Sequence, residues 1–256
     1  MKKITVLLLS FIVTLSACFA EDEPISKIIK CENSSNVCIV RNKKLYYGLA
    51  DKESKLVVPM EYTNIKLIPN EENYLLEKKS KTGEFLYGIA NQKGEITVPP
   101  VYHSIVKTEI AGKYKFQPNW DFKYGLLDGK TGNIDIEPVY NYFYRLKNGD
   151  YSVEKNFKEG IISSDFKVII PAEYYKVYAM TGDKYYTLHK EVNFINEEGL
   201  PDSKFIYGIA DRTGKLVVPL ECSWVEHGIA SHNYRVTKDG KTYVFDSNTG
   251  TFNLKG

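Results

Sequence analysis

One segment recurs along this chain at nearly constant spacing, and that recurrence restricts the possible folds more than any composition figure does. Tyr87-Gly88-Ile89-Ala90-Asn91 is followed by Gly94, by Ile96-Thr97-Val98, by Pro99 and Pro100, and by Tyr102. The same order runs from Tyr47 through Pro59 to Tyr62 and from Tyr124 through Pro138 to Tyr140. It runs again from Glu159 through Pro171 to Tyr174, and from Tyr207 through Pro219 to Cys222. The lead glycines Gly48, Gly88, Gly125, Gly160 and Gly208 are spaced by 40, 37, 35 and 48 residues.

Each copy reads as a hairpin. Tyr87 and Ile89 alternate with Gly88 and Ala90, the period of two that gives a strand its two faces. A polar turn headed by Asp51, Asn91, Asp128 or Asp211 follows. Gly94, Gly132 or Gly214 lies close behind and takes the positive φ that a short turn needs. A β-branched run then reaches proline, which has no N–H for a further ladder bond and is expected to end the pairing. Two more strands follow each hairpin, as in His103–Lys107 and Lys113–Phe116. Four short strands in about forty residues cannot bury an apolar face alone, so the units must stack on one another.

The pattern aromatic-Gly-apolar-x-Asp, turn glycine, apolar-x-apolar-Pro and tyrosine resembles the WG repeat of bacterial proteins, with tyrosine in place of tryptophan. The resemblance covers residues 47 to about 222 in five copies. A partial sixth, Tyr243-Val244-Phe245-Asp246 with Gly250 and Phe252, ends the sequence. The fourth copy departs most, with Glu159 at the aromatic position and no turn glycine. What the resemblance implies is an interaction module rather than an activity. The expected fold is all-β: about six antiparallel hairpin units in a propeller-like ring, with an open curved β superhelix as the alternative. Residues 25–41 read as the back half of a unit and residues 243–254 as a front half. Ring closure would therefore pair Val37–Arg41 with Tyr243–Asp246 or place the two segments directly side by side.

Residues 1–17 read as a signal peptide: Lys2 and Lys3 precede Ile4–Leu15, an apolar run too short to span a bilayer. Leu15-Ser16-Ala17-Cys18 resembles the bacterial lipobox, which implies lipidation of Cys18, with 18–24 as a linker to a single domain over 25–256. Cleavage after Ala20 is the alternative. Phe19, rather than aspartate, after the cysteine implies the outer membrane by resemblance to enterobacterial sorting; a soluble periplasmic or secreted protein is the other possibility. Without Lys2 and Lys3, the 34 basic residues fall to 32 and equal the 32 acidic ones. That balance argues against nucleic acid and against electrostatic binding to anionic lipid. In an oxidising compartment Cys31 and Cys38 are placed to bridge, while Cys222 stands in a tyrosine slot as a packed thiol.

No catalytic constellation is visible, and no cofactor or metal is expected. Gly129-Lys130-Thr131-Gly132 occupies a hairpin-turn slot and is not a phosphate loop. Glu226, His227 and His232 read as a solvated loop rather than zinc ligands. The long interval before Gly208 reads as an extended acidic loop, and Phe194, Ile195, Glu197, Glu198 and Leu200 are its candidate binding residues. The expected function is non-enzymatic binding of a protein or cell-envelope polymer by a membrane-anchored module, with a periplasmic inhibitor or immunity protein as a sharper form. The alternative is an envelope hydrolase whose paired carboxylates converge on folding.

Overall fold

A computed structural model describes residues 24–31, 36–182, 184–226 and 232–255. Cys18, the apolar leader and His227 lie outside the described residues. Those described form 24 strands and no helix, arranged as six four-stranded antiparallel sheets in a propeller-like array. Within each sheet the strands follow chain order. The first contains Lys27–Cys31, Val37–Arg41, Tyr47–Asp51 and Leu56–Tyr62, and the second runs from Asn64–Leu67 to Ile96–Tyr102. The third extends from Ser104 to Tyr140, the fourth from Tyr142 to Tyr174, the fifth from Lys176 to Cys222 and the sixth from Trp224 to Leu254.

Each sheet joins the recurring hairpin to the two strands that precede it, not to the two that follow. The structural unit is thus offset by half from the apparent sequence unit. Val37–Arg41 lies between Lys27–Cys31 and Tyr47–Asp51, while Tyr243–Asp246 pairs with Asn233–Lys238 and Thr251–Leu254. Of the two placements expected for the ends, hydrogen-bonded pairing is therefore not made. A strand with neighbours on both edges has no ladder groups left to offer.

The hairpins carry an irregularity that the sequence hid. Tyr87 faces Tyr102, Ile89 faces Val98, and Ala90 faces Ile96. Two residues of one strand thus oppose four of the other, and then one opposes two. The remaining four hairpins repeat this double bulge at the same positions. Proline therefore does not end the strand. Pro99 and Pro100 sit in the bulge, where no ladder N–H is needed, and pairing resumes at Tyr102. The bulge also accounts for the lead glycine. A Cβ on Gly88 would stand 2.6 Å from the Val98 carbonyl oxygen and 2.8 Å from the Pro100 nitrogen. The close approach is within the hairpin, not between neighbouring units.

Glu159 does not disturb the fourth copy, which keeps the common register. Its buried carboxylate takes the lead position by accepting from Lys176 Nζ at 2.5 Å, the Val177 amide at 3.0 Å and the Tyr142 hydroxyl at 3.2 Å. Phe166, at φ 67°, fills the turn-glycine position.

The core is divided among the seams. Five apolar clusters form, each shared by two consecutive sheets; Ile89 and Val98, for example, pack with Ile105, Tyr114 and Phe116. In five sheets the second strand supplies a buried tyrosine: Tyr74, Tyr114, Tyr151, Tyr186 or Tyr234. Tyr74 donates back to the Val37 carbonyl, Tyr114 to Glu71, and Tyr186 to Asp150, each in the preceding sheet. In the first sheet the equivalent residue is Cys38, disulfide-bonded to Cys31, which lies directly opposite in register. Cys222 is free, fully buried and paired with Tyr207; burial pushes its thiol pKa up.

The turn acid Asp128 offers a test of these local bonds. Burial alone would raise its pKa. Hydrogen bonds from Lys113, from the Thr131 amide and from the Thr131 hydroxyl outweigh that effect and hold it at about 2. A carboxyl depressed below its unfolded value stabilises the fold above about pH 4, and this contribution is lost as pH falls towards 2. Asp128→Asn should therefore cost about 2 kcal/mol at pH 7 and almost nothing at pH 2, read from urea midpoints at the two pH values. Equal losses at both would refute this account.

Candidate functional site

The interval read as a loop is a β-hairpin. Tyr185–Ile195 and Pro201–Asp211 are each 11 residues long and pair throughout, from Tyr185 opposite Asp211 to Ile195 opposite Pro201. Alternation from Lys190 to Ile195 continues the strand beyond the body of the fifth sheet. A compact turn then closes it. The Asn196 side chain accepts from the Glu198 and Leu200 amides at 3.0 and 2.9 Å, and Gly199 takes φ 78°. The expected binding residues do meet at this tip, but not on one face. Phe194 lies on one side, under Lys204 at 5.6 Å, whereas Ile195 points to the other. Glu197, Glu198 and Leu200 form the exposed turn.

The continuous surface lies lower, on the Ile195 side. His189 sits between Tyr178 and Tyr207, with ring centroids 5.3 and 4.6 Å away. Further out, Phe205 packs on Tyr175 at 4.9 Å. These rings lead into a cleft of about 460 Å³ between the fifth and sixth sheets, lined by Tyr178, Met180, Thr187, His189, Glu226 and Tyr234 among others. Glu226 accepts from the Arg235 amide at 3.2 Å, and the Tyr234 hydroxyl accepts from the Thr181 amide at 3.0 Å. Sequence reasoning passed over these residues because His189 and the tyrosines belong to different strands and carry no motif. The period of two through residue 195 was the available signal.

The arrangement is suited to contact. Aromatic rings held by a rigid sheet bury large areas with little loss of side-chain freedom. Among the described residues, no group of three His, Cys, Asp or Glu side chains could hold a metal ion. Asp128, Asp165, Asp211 and Asp246 all have lowered pKa values, opposite to what a carboxylic general acid requires. Burial opposes the shift at Asp128 and Asp211 but is outweighed by hydrogen bonds, largely from their own turns. At Asp165 the leading cause is the bond from Lys167, and at Asp246 that from the Asn248 amide.

Six four-stranded sheets, each packed on its chain neighbours, define a β-repeat protein of propeller-like architecture. The chain carries WG repeats: residues 87–107 and 207–241 match the family model described as WG containing repeat. No curated protein matches the chain. Among solved structures it is similar to the Neurospora crassa Pan2 WD40 domain, at 12% identity and a TM-score of 0.28, over 88% of this chain and 76% of that one. It is also similar to the Myceliophteria thermophila Cps50 (Swd1) β-propeller domain, at 10% identity and a TM-score of 0.28, over 90% and 88% of the two chains. Likeness at that level carries no inference about function.

Proposed function

We propose that this chain is a non-enzymatic binding module, exported and held at the periplasmic side of the cell envelope by a lipid on Cys18. It grips an extended segment of another protein along the fifth sheet. The observation that carries this reading is the run of rings Tyr178, His189, Tyr207, Phe205 and Tyr175, which joins a projecting hairpin to an open cleft. A hairpin that stands clear of the body suits insertion into a partner's own cleft. An inhibitor or immunity protein acting on an incoming hydrolase is the form of partner binding this shape favours. The test is capture from envelope extract with residues 21–256, which contain every described strand. The wild-type chain should retain a partner that Tyr178→Ala/Phe205→Ala holds at least about tenfold more weakly, since buried aromatic anchors dominate such interfaces. Equal capture by both would remove the site.

The anchor is tested separately. Each buried lipid methylene contributes about 0.8 kcal/mol, so two or three acyl chains hold a protein on a membrane almost irreversibly. Cys18→Ser should release the protein from the membrane fraction or leave it unprocessed. A mature, membrane-bound Cys18→Ser protein would defeat this part of the proposal.

A further inference from the structure

The connections between second and third strands share one edge of the array with the single-residue links that join successive sheets. This follows from the up-and-down strand order, and side-chain contacts agree with it. Trp120, in the third sheet's connection, packs on the link residue His103 at 4.5 Å. Asn141, the next link, accepts from Lys123 Nζ at 2.8 Å and from the Asn156 amide at 3.1 Å.

Along this edge, apolar side chains stand in solvent at turn positions that the same chain elsewhere gives to glycine. Lys155-Asn156-Phe157-Lys158 and Lys238-Asp239-Gly240-Lys241 are equivalent two-residue turns with positive φ at both central residues. Such turns favour glycine second. The sixth sheet has Gly240 there at φ 71°, whereas the fourth has Phe157 at φ 62°, 88% exposed. The five-residue turns behave alike. Leu45, Gly83 and Gly199 each donate to the carbonyl three residues back, at 3.2, 3.1 and 3.0 Å. Gly83 and Gly199 take the left-handed φ freely, but Leu45 holds φ 70° with its side chain 59% exposed. In the third sheet Phe122 holds φ 57°, and both it and Trp120 are about two-thirds exposed. A bulky residue in the left-handed region is strained, and none of these three side chains is recovered by the core.

The flanking charge on the first four sheets is mainly basic. Lys43, Lys44, Lys79, Lys81, Lys155 and Lys158 border these tips, against the carboxylates Glu84 and Asp121. The chain as a whole is nearly neutral, but the part of this edge formed by the first four sheets is basic. The fifth sheet's hairpin, with Glu191, Glu197, Glu198 and Asp202, is acidic and belongs to the partner site described above.

We propose that the edge formed by the first four sheets docks on an anionic phospholipid surface. Leu45, Trp120, Phe122 and Phe157 enter the headgroup region, and the lysines pair with phosphates. Aromatic tips interleaved with lysine match the bilayer interface, where amphipathic rings settle and cationic stems extend to the charged layer. A bilayer is laterally uniform, so tips borne on separate sheets can all use it. The chain also enters the fold here: the Ser26 amide donates to the Arg41 carbonyl, immediately before the Leu45 turn. The docking does not depend on a lipid at Cys18, and the test leaves that residue out.

Residues 21–256 are sedimented with vesicles of phosphatidylglycerol and phosphatidylcholine in equal parts, and with phosphatidylcholine alone. Binding to the anionic vesicles should be at least about tenfold tighter and should weaken with salt. In a Trp224→Phe background, the Trp120 emission should shift to the blue on binding. Leu45→Gly/Phe157→Gly should lower vesicle binding about tenfold or more while the melting temperature holds or rises, because glycine accepts the left-handed backbone. Absence of binding to anionic vesicles, or undiminished binding by the double variant, overturns the proposal. So does loss of a protein partner in that variant when the wild type fails to bind vesicles, since the edge would then be a protein interface.

Discussion

Gly88→Val is expected to destabilise the protein by about 3 kcal/mol or more, at the upper end of overpacking costs. The added Cβ would meet the Val98 carbonyl oxygen at 2.6 Å and the Pro100 nitrogen and Cα at 2.8 and 2.9 Å, all of them backbone. Backbone on the bulged strand cannot rotate aside as a side-chain end can. Opening the bulge would break the register that pairs Tyr87 with Tyr102 and Ile89 with Val98. Gly208→Ala makes the comparison sharp. Its nearest contacts, the Leu220 Cα at 3.0 Å and the Val218 oxygen at 3.1 Å, require only a small adjustment, and about 1 kcal/mol is expected. Guanidinium midpoints for the two variants decide the matter. Equal losses would show that the tightness of the bulge does not select glycine.

Arg212→Ala should cost about 3 kcal/mol by leaving a buried carboxylate without its cation. Asp150 is fully buried and accepts from Arg212 Nη2 at 2.6 Å, Arg212 Nε at 3.0 Å, the Tyr186 hydroxyl at 2.5 Å and the Ser164 amide at 3.0 Å. Breaking a wholly buried pair costs about 3–5 kcal/mol, and the lower end applies because the Arg212 end of this one reaches solvent. Asp150→Asn in the Arg212→Ala background should recover part of the loss, because an amide is cheaper to bury than an unpaired charge. A double-mutant cycle with no coupling would refute the assignment. Asp150 lies in the connection that leads into Tyr151–Lys155 of the fourth sheet, Arg212 in the turn after Pro201–Asp211 of the fifth, and Tyr186 on a strand of the fifth. The break therefore loosens one seam, and partner capture by the fifth sheet's hairpin should weaken with it.

Local chemistry announced itself where it repeats. Asp51, Asn91 and Asp211 head their turns by accepting two backbone amides each, as an Asx residue at the head of a short turn implies. The alternation at Tyr87–Ala90 is a strand, and Cys222 is packed where a tyrosine was due. The candidate site was only half legible. Phe194, Ile195 and Leu200 were singled out because apolar residues stood out in an acidic interval. The same charges disguised the interval as a loop, since cross-strand pairing of a solvated hairpin leaves no apolar stripe. Net charge says nothing about placement: equal totals conceal six lysines that lie along the edge of the first four sheets.

The sequence by itself determined the repeat, its all-β character and the number of hairpins, because turn chemistry and period-two alternation act between residues close in the chain. Only the tertiary structure decided which strands share a sheet. Each recurring hairpin could pair with the strands before it or after it without changing a single local preference. Pairing across seams settles that choice, through tyrosines such as Tyr114 and Tyr186 that reach the sheet behind them. The proposed binding face likewise exists only once folded. Tyr178, His189 and Tyr207 come from three strands whose register brings their rings together, and no spacing within the chain encodes that contact.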